Sequence, residues 1–116
     1  MKFSVIILLT VLGTRSCQNK ELTGTWVNEV DSLAKMIFFK NKFWSVYDQD
    51  TLSQGTFKRM RYSCDTTYLE KKVKADFIWL KDEDETCYEI TGISDSILAY
   101  RHTTSGRLHV FNKYKQ

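Results

Sequence analysis

LTGTW, residues 22–26, stands directly after an apolar leader and directly before a series of short segments rich in aromatic residues. Leu22, Gly24 and Trp26 alternate with threonines, which is the pattern of a strand with one buried face. A glycine two positions before a tryptophan permits another backbone, or the indole ring itself, to come close. We therefore expect the folded domain, residues 22–116, to open on a strand whose Trp26 lies in the core.

The same alternation recurs along the rest of the chain. Short polar turns separate the alternating segments, and strands spaced about ten residues apart are typical of an antiparallel meander. The chain has no proline, and it has no amphipathic window long enough for a helix of more than two turns. The predicted strands cover residues 21–27, 35–40, 43–47, 51–62, 76–80, 86–93, 96–102 and 107–114, and residues 64–69 are a candidate for a further short strand.

This pattern predicts an all-β fold, a small antiparallel up-and-down meander of about eight strands that closes into a barrel. Closure removes the exposed edges through which open sheets aggregate. A curved open sheet and a flattened sandwich are the alternatives. A barrel of eight strands is only just wide enough for its own side chains or for one small ligand.

Three details of the turns are predicted with the strands. Asn41 is expected to take the positive φ of the tight turn between the second and third strands. Gly55 is expected to form a bulge or a kink, because the alternation breaks along the long fourth strand. His102 and His109 are expected to face each other across the last hairpin, if its turn is centred between residues 105 and 106.

Residues that would carry catalysis are few. Two opposed histidines can begin a zinc site, but no third ligand is placed beside them. The chain has no nucleophile elbow, no Cys-His-Asn order and no paired catalytic carboxylates. The acidic run at residues 82–85 lacks the glycine and the spacing of a calcium loop. The sequence therefore predicts neither an enzyme nor a metal or other cofactor.

Residues 1–16 predict a signal peptide, because Lys2 precedes an apolar segment that is too short to span a bilayer. Cleavage is expected between Ser16 and Cys17. It would remove Lys2 and Arg15 from the 17 basic side chains and would lower the net charge from +3 to +1. A nearly neutral domain offers no basic stripe for nucleic acid, so nucleic acid is not expected as a partner.

Cys64 and Cys87 remain as a pair once Cys17 is set apart at the new N-terminus. In an oxidising compartment such a pair favours a disulfide. The bond would close a loop of about 24 residues and would stabilise the fold by about 3 kcal/mol. Two semi-buried thiols are the alternative.

Cys17, at the end of the leader and directly after Ser16, resembles the lipobox cysteine of bacterial lipoproteins. Thr14 and Arg15 depart from that family, which has an aliphatic and a small uncharged residue at these positions. The resemblance implies that Cys17 is acylated, that residues 17–21 form a tether, and that the domain is anchored in the cell envelope of a Gram-negative bacterium. A soluble periplasmic or secreted protein is the alternative.

The Gly24-x-Trp26 motif at the start of an antiparallel meander resembles the lipocalins and, with the leader, the short lipocalin-like lipoproteins. In lipocalins this tryptophan plugs the closed end of the barrel, often under an arginine from a late strand. Arg101 or Arg107 would take that part here. The resemblance implies a small apolar or amphipathic ligand. The candidate ligand-binding residues are Phe38, Trp44, Trp79, Tyr88 and Tyr100.

A second function is compatible with the same residues. The domain would then be a protein-interaction module of the cell envelope, with a filled barrel and no ligand, and would bind an envelope protein through its outer aromatic face or a strand edge. The interior volume of the barrel separates the two functions.

Overall fold

The computed structural model describes residues 21–64 and 74–115. Within these ranges the chain forms eight strands, each antiparallel to the next, and the last strand pairs with the first to close a barrel. The predicted all-β up-and-down barrel is confirmed, and the alternatives of an open sheet and a sandwich are wrong. The strands are β1 (Gly24–Asn28), β2 (Ala34–Phe39), β3 (Lys42–Tyr47), β4 (Asp50–Tyr62), β5 (Lys74–Lys81), β6 (Glu85–Ile93), β7 (Ile97–His102) and β8 (Leu108–Lys113).

The core follows from the alternation along these strands. Every second side chain of a strand points into the barrel, and apolar residues hold most of the inward positions. Burial of each large apolar side chain contributes about 1.5–3 kcal/mol to stability. The buried cluster consists of Leu22, Trp26, Met36, Phe38, Phe43, Phe57, Ile78, Leu80, Ile90, Leu98, Tyr100 and Phe111.

The antiparallel order places successive turns at opposite ends of the barrel. The β2–β3 and β6–β7 turns lie at the end where the described chain begins at Glu21 and finishes at Lys115, and we call this the closed end. The β1–β2, β3–β4, β5–β6 and β7–β8 turns lie at the other end, which we call the open end.

Trp26 blocks the closed end together with Leu22, and both side chains are fully buried. The indole Nε1 donates a hydrogen bond of 2.8 Å to the carbonyl oxygen of Leu22, so the one polar atom of the ring is satisfied. Residues 21 and 22 are helical rather than extended, and the first strand therefore begins at Gly24, later than predicted. The expectation that Trp26 lies in the core is confirmed.

The cation over Trp26 is Lys113 and neither of the two arginines considered. Its Nζ lies 4.5 Å from the centre of the indole ring. Because β1 pairs with β8, the register brings Trp26 opposite Lys113. Arg101 instead pairs with Glu89 at 2.5 Å, and Arg107 precedes β8 at the open end.

Gly24 makes room for this lysine. Its φ of 132° lies in a region that favours glycine. A Cβ at this position would lie 2.6 Å from the Lys113 Nζ. The ammonium passes the bare Cα and donates a hydrogen bond to the carbonyl oxygen of Thr23. The Gly24-x-Trp26 spacing thus allows a cation to lie against the ring.

The β2–β3 hairpin differs from the prediction in one residue. Phe39 pairs with Lys42, which leaves Lys40 and Asn41 as the turn. Lys40 has the positive φ, 58°, in place of Asn41. The chain reverses at the first residue after β2, so the left-handed conformation falls there despite the preference of asparagine for it.

Gly55 forms no bulge. It pairs regularly with Phe43, and the register shift between β3 and β4 lies at Ser45 and Val46 instead. The glycine is needed for a different reason, because a Cβ there would overlap the carbonyl oxygen of Lys81 at the end of β5. Close approach of two strands, rather than an inserted residue, explains this position.

We expect Gly55→Ala to lower the free energy of unfolding by about 1–3 kcal/mol, because the added methyl group forces backbone apart in a packed barrel. Gly92→Ala is the matched control, since no heavy atom lies within 4 Å of a Cβ built there; its effect should stay within about 1 kcal/mol. Urea unfolding followed by tryptophan fluorescence measures both. Equal stability of the two variants would contradict the close approach at Gly55.

Cys64 and Cys87 lie at disulfide-bonding distance, as predicted, with their Cα atoms 5.6 Å apart. Cys87 pairs with Trp79 between β5 and β6, at a position on the outer surface of the barrel. A disulfide bond at this site closes a loop and thereby stabilises the fold by about 3 kcal/mol. Residues 65–69 of the candidate further strand lie outside the described residues, as do the leader and Cys17.

Candidate functional site

The structure brings together two of the five candidate ligand-binding residues. Tyr88 and Tyr100 pack against each other inside the open half of the barrel, with ring centroids 4.6 Å apart. Phe38 is fully buried in the core. Trp44 and Trp79 are half-buried at outward positions, because the residues on either side of each point into the barrel.

A cavity of about 120 Å³ lies beside these two tyrosines, and we call it the upper chamber. Met36, Phe43 and Leu80 form its apolar walls. A wider hollow of about 490 Å³ lies at the open end, and we call it the mouth; it shares the lining residues Met36 and Ser45 with the chamber. Tyr88 and Tyr100 line both spaces.

Small polar side chains account for the empty space. Ser45 and Ser53 are opposite each other on β3 and β4, and both line the chamber together with Thr86. Farther towards the closed end, the inward positions hold large residues such as Phe57 and Ile78. Large side chains therefore fill the interior around Trp26, whereas the interior beside Ser45 and Ser53 holds the chamber.

A continuous group of aromatic rings covers the inner surface of β6, β7 and β8. Tyr88 contacts His102 and His109, with ring centroids 5.4 Å and 6.0 Å away. Tyr100 contacts His109 at 5.6 Å and Phe111 at 5.2 Å. These rings present faces and edges to the chamber and the mouth, which suits an apolar or a cationic group.

The hydroxyl group of Tyr100 is a polar group without a hydrogen-bond partner among the described residues. The side chain is only 3% exposed, yet no fully buried polar side-chain atom in this part of the chain lacks a partner. The hydroxyl group therefore keeps some accessible surface, on a side chain that lines both the chamber and the mouth. Burial raises the pKa of Tyr100 well above its ordinary value, so the phenol stays protonated and can donate to a ligand.

Asp82 is the one charged residue that lines the chamber. It lies in the β5–β6 turn, where its Oδ1 accepts a hydrogen bond of 2.8 Å from the Asp84 backbone N–H. Burial, and then the negative charge of Asp82, raise the pKa of Tyr88. Asp82 belongs to the acidic run at residues 82–85, which sequence alone did not connect with any site. The sequence does place Asp82 in the turn between the strands of Leu80 and Tyr88, and this position could have indicated that it lies near the site.

The two histidines are not opposite each other. Tyr100 pairs with His109, and the backbone N–H of His102 donates to the carbonyl oxygen of Arg107 at 2.9 Å. The β7–β8 turn is centred one residue earlier than expected, which moves each cross-strand partner by two positions. His102 Nδ1 accepts a hydrogen bond of 3.0 Å from the Ser105 N–H. Within the described ranges no three His, Cys, Asp or Glu residues are grouped to hold a metal ion.

His109 gives the site a dependence on pH. Burial, followed by the charges of Arg107 and His102, lowers its pKa below the ordinary value of about 6.5. The tyrosine rings of Tyr88 and Tyr100 also face it. The unfolded chain then binds a proton more readily than the folded barrel, so stability is present above about pH 6.5 and falls as the pH drops towards the folded pKa.

We therefore expect the free energy of unfolding to decrease as the pH is lowered from 7.5 to 5.5, and the decrease to be smaller in His109→Gln. Denaturant unfolding at a series of pH values measures both slopes. If wild type and variant lose stability in parallel, the decrease has another source and His109 does not cause it.

Exposed apolar side chains surround the open end. Val30 is 94% exposed and Leu52 66% exposed. Leu33, Tyr47 and Leu108 are also exposed in the turns and strand ends around the mouth. Leu108 points away from the core while Phe111, on the same strand, is buried, so β8 contributes to both the core and this rim.

A larger hollow, with a volume of about 570 Å³, lies at the closed end beside the last residues of β4. Its principal charged groups already bind one another. Arg59 donates to Asp76 at 2.6 Å and 2.9 Å and to Glu21 at 2.9 Å. This side borders residues 65–73, which are outside the described part of the chain. The upper chamber is the better candidate because the hydroxyl group of Tyr100, which lines it, has no hydrogen-bond partner among the described residues.

The fold and the site define a small up-and-down β-barrel that is plugged at one end and opens at the other into an aromatic chamber. In the described ranges no helix is long and apolar enough to cross a membrane. Comparison with models of known protein families, with curated protein sequences and with solved structures found no match to this chain.

Proposed function

We propose that this protein is a lipid-anchored, lipocalin-like protein of the Gram-negative cell envelope that binds a small apolar or amphipathic ligand in the upper chamber. The observation that carries the proposal is the chamber, with a volume of about 120 Å³ inside a barrel whose other half is packed. A cavity of about 150 Å³ can hold benzene, so the chamber suits the apolar end of a small ligand whose remainder extends into the mouth, with which the chamber shares Met36, Ser45, Tyr88 and Tyr100. No catalytic step is part of the proposal.

The position of the N-terminus supports the anchor. Glu21 lies at the closed end, four residues after Cys17, and an extended segment of that length spans about 14 Å. Lys40, Lys42 and Lys115 are exposed at the same end. Near an anionic membrane surface each basic side chain contributes about 1 kcal/mol. The closed end would face the lipid and the chamber would open away from it.

The ligand is tested by amide NMR titration of the isotope-labelled protein with isopentyl alcohol. We expect saturable shifts at Tyr88 and Tyr100. Ser53→Phe fills the chamber from β4 and should weaken binding by about tenfold or more, or about 1.4 kcal/mol. Gln54→Phe adds the same ring at the neighbouring exposed position and should leave binding unchanged. Absence of saturable shifts in the wild type, or equal losses in both variants, would refute a ligand in the chamber.

The anchor is tested separately by fractionation and mass. Intact mass of the membrane-bound protein should show acyl chains on Cys17, and Cys17→Ser should move the protein to the soluble fraction, because two or more acyl chains are needed for stable attachment. Cys64→Ser, which removes a cysteine far from the leader, should stay in the membrane fraction. Retention of Cys17→Ser in membranes would count against the anchor.

A second function is favoured by the apolar rim of the open end. Val30 and Leu52 are too exposed to contribute to the core, and exposed apolar patches often mark protein-binding surfaces. The protein would then be an envelope interaction module that contacts its partner through this rim. Loss of a co-purifying envelope protein in Val30→Ser and Leu52→Ser, with isopentyl alcohol binding absent in the wild type, would favour this function over ligand carriage.

A further inference from the structure

We propose that the upper chamber selects a small organic cation, an amine with an apolar chain, for which Asp82 is the counter-ion and the rings of Tyr88 and Tyr100 are the walls. This inference rests on the proposed ligand-binding function and adds the charge of the ligand. Nothing in the leader or in the Gly24-x-Trp26 motif bears on it.

The first support is the charge of the lining. Its nine residues include one carboxylate, Asp82, and neither a lysine nor an arginine. Three hydroxyl groups, from Ser45, Ser53 and Thr86, supply oxygen atoms that can accept hydrogen bonds from an ammonium group. An anion would meet the carboxylate without a compensating cation, so the lining discriminates against it.

The second support is independent of the carboxylate. Tyr100 is nearly fully buried, lines the chamber and has no hydrogen-bond partner for its hydroxyl group among the described residues. The hydroxyl oxygen is not a fully buried atom, so a polar ligand group or a water molecule can reach it and form a hydrogen bond with it. The hydroxyl oxygen can accept from an ammonium group, so this residue points to a polar head rather than to a purely apolar ligand.

The third support is the arrangement of rings. Tyr88 and Tyr100 are tilted against each other at 52° with centroids 4.6 Å apart. Cations are attracted to the faces of such rings by about 0.5–2 kcal/mol, with the larger values where water is excluded. The barrel already uses this interaction at its other end, where the Lys113 Nζ lies over Trp26.

Competing cations lie farther out. Arg107 lines the mouth and not the chamber. Lys35 and His109 also line the mouth and not the chamber, and burial lowers the pKa of His109, which keeps it neutral near pH 7. His102 contacts the ring of Tyr88 and lines neither space. Lys81 lies over the ring of Trp79 on the outer surface. The ammonium of a ligand would therefore be the positive charge nearest Asp82 in the chamber.

The open end as a whole favours the approach of a cation. Carboxylates occupy three of its turns and the adjoining strand ends, whereas the exposed lysines of the closed end, Lys40, Lys42 and Lys115, lie at the opposite side. These carboxylates outnumber the basic residues Lys35, Lys81 and Arg107 at the same end, and net negative charge around an opening raises the local concentration of cations and their rate of association. The carboxylates at the open end are Glu29, Asp31, Asp48, Asp50, Asp82, Glu83, Asp84 and Glu85.

The test compares isopentylamine with isopentyl alcohol, which have the same carbon skeleton and differ in charge at pH 7. In amide NMR titrations of the purified protein, the amine should bind about tenfold or more tightly than the alcohol, which corresponds to about 1.4 kcal/mol. Asp82→Asn keeps the oxygen that accepts from Asp84 and removes the charge. It should reduce the affinity for the amine to about that for the alcohol.

Glu83→Gln is the matched control, because it removes one charge from the same turn at a residue that does not line the chamber. It should weaken amine binding by less than about twofold in 0.15 M salt, where exposed charges are screened beyond about 8 Å. Equal losses in Asp82→Asn and Glu83→Gln would overturn the assignment of Asp82 as counter-ion.

The remaining outcomes separate this inference from the function on which it rests. Equal binding of amine and alcohol, or tighter binding of the alcohol, would overturn the cation preference while the chamber remained a ligand site. Binding of neither probe would overturn both proposals together.

Discussion

Closure of the barrel between β1 and β8 is the constraint on which the rest of the structure depends. Hydrogen bonds extend past both ends of this short pairing, from the Tyr114 N–H to the Thr25 carbonyl oxygen at 2.8 Å and from the Glu29 N–H to the Val110 carbonyl oxygen at 2.9 Å. The closed sheet has no free edge among the described strands, so it offers no template for edge pairing. Closure also fixes which side chain of β8 meets Trp26.

That side chain is a lysine, and its position has an energetic consequence. Burial lowers the pKa of Lys113, because a charged ammonium loses water when it moves inside the barrel. The face of Trp26 and the carbonyl oxygen of Thr23 replace part of that hydration. The closed end thus holds Lys113 against a ring and a carbonyl oxygen, and the absence of a Cβ at Gly24 makes room for its ammonium group.

Most of the fold could be predicted from the sequence because alternation is a local signal that repeats in every strand. Registers could not be predicted in the same way. A turn centre that moves by one residue moves every partner by two, which is why His109 faces Tyr100 and not His102. The cation on Trp26 depends on closure between the first and last strands, a contact between residues almost ninety positions apart for which the sequence carries no local sign.

The candidate site was predicted in part, and the missing part has a physical explanation. Tyr88 and Tyr100 are inward by alternation, and β6 and β7 are neighbours, so their meeting follows from the pattern. The contribution of Asp82 depends on how the β5–β6 turn folds over the end of the barrel. The chamber exists because Ser45 and Ser53 are small. Their sequence pattern does not distinguish them from other polar residues, and only the register places them opposite each other inside the barrel.

The two ends of the barrel have separate roles in the proposed function, and the packed layer between them keeps these roles independent. Leu22 and Trp26 are fully buried at the closed end, whereas the mouth, which shares Tyr88 and Tyr100 with the chamber, lies at the open end. Glu21 and the exposed lysines Lys40, Lys42 and Lys115 lie at the closed end. An anchored protein would therefore keep its mouth free while its closed end contacts lipid. Changes at either end should leave the other unaffected, because side chains more than about 10 Å apart without shared partners contribute additively.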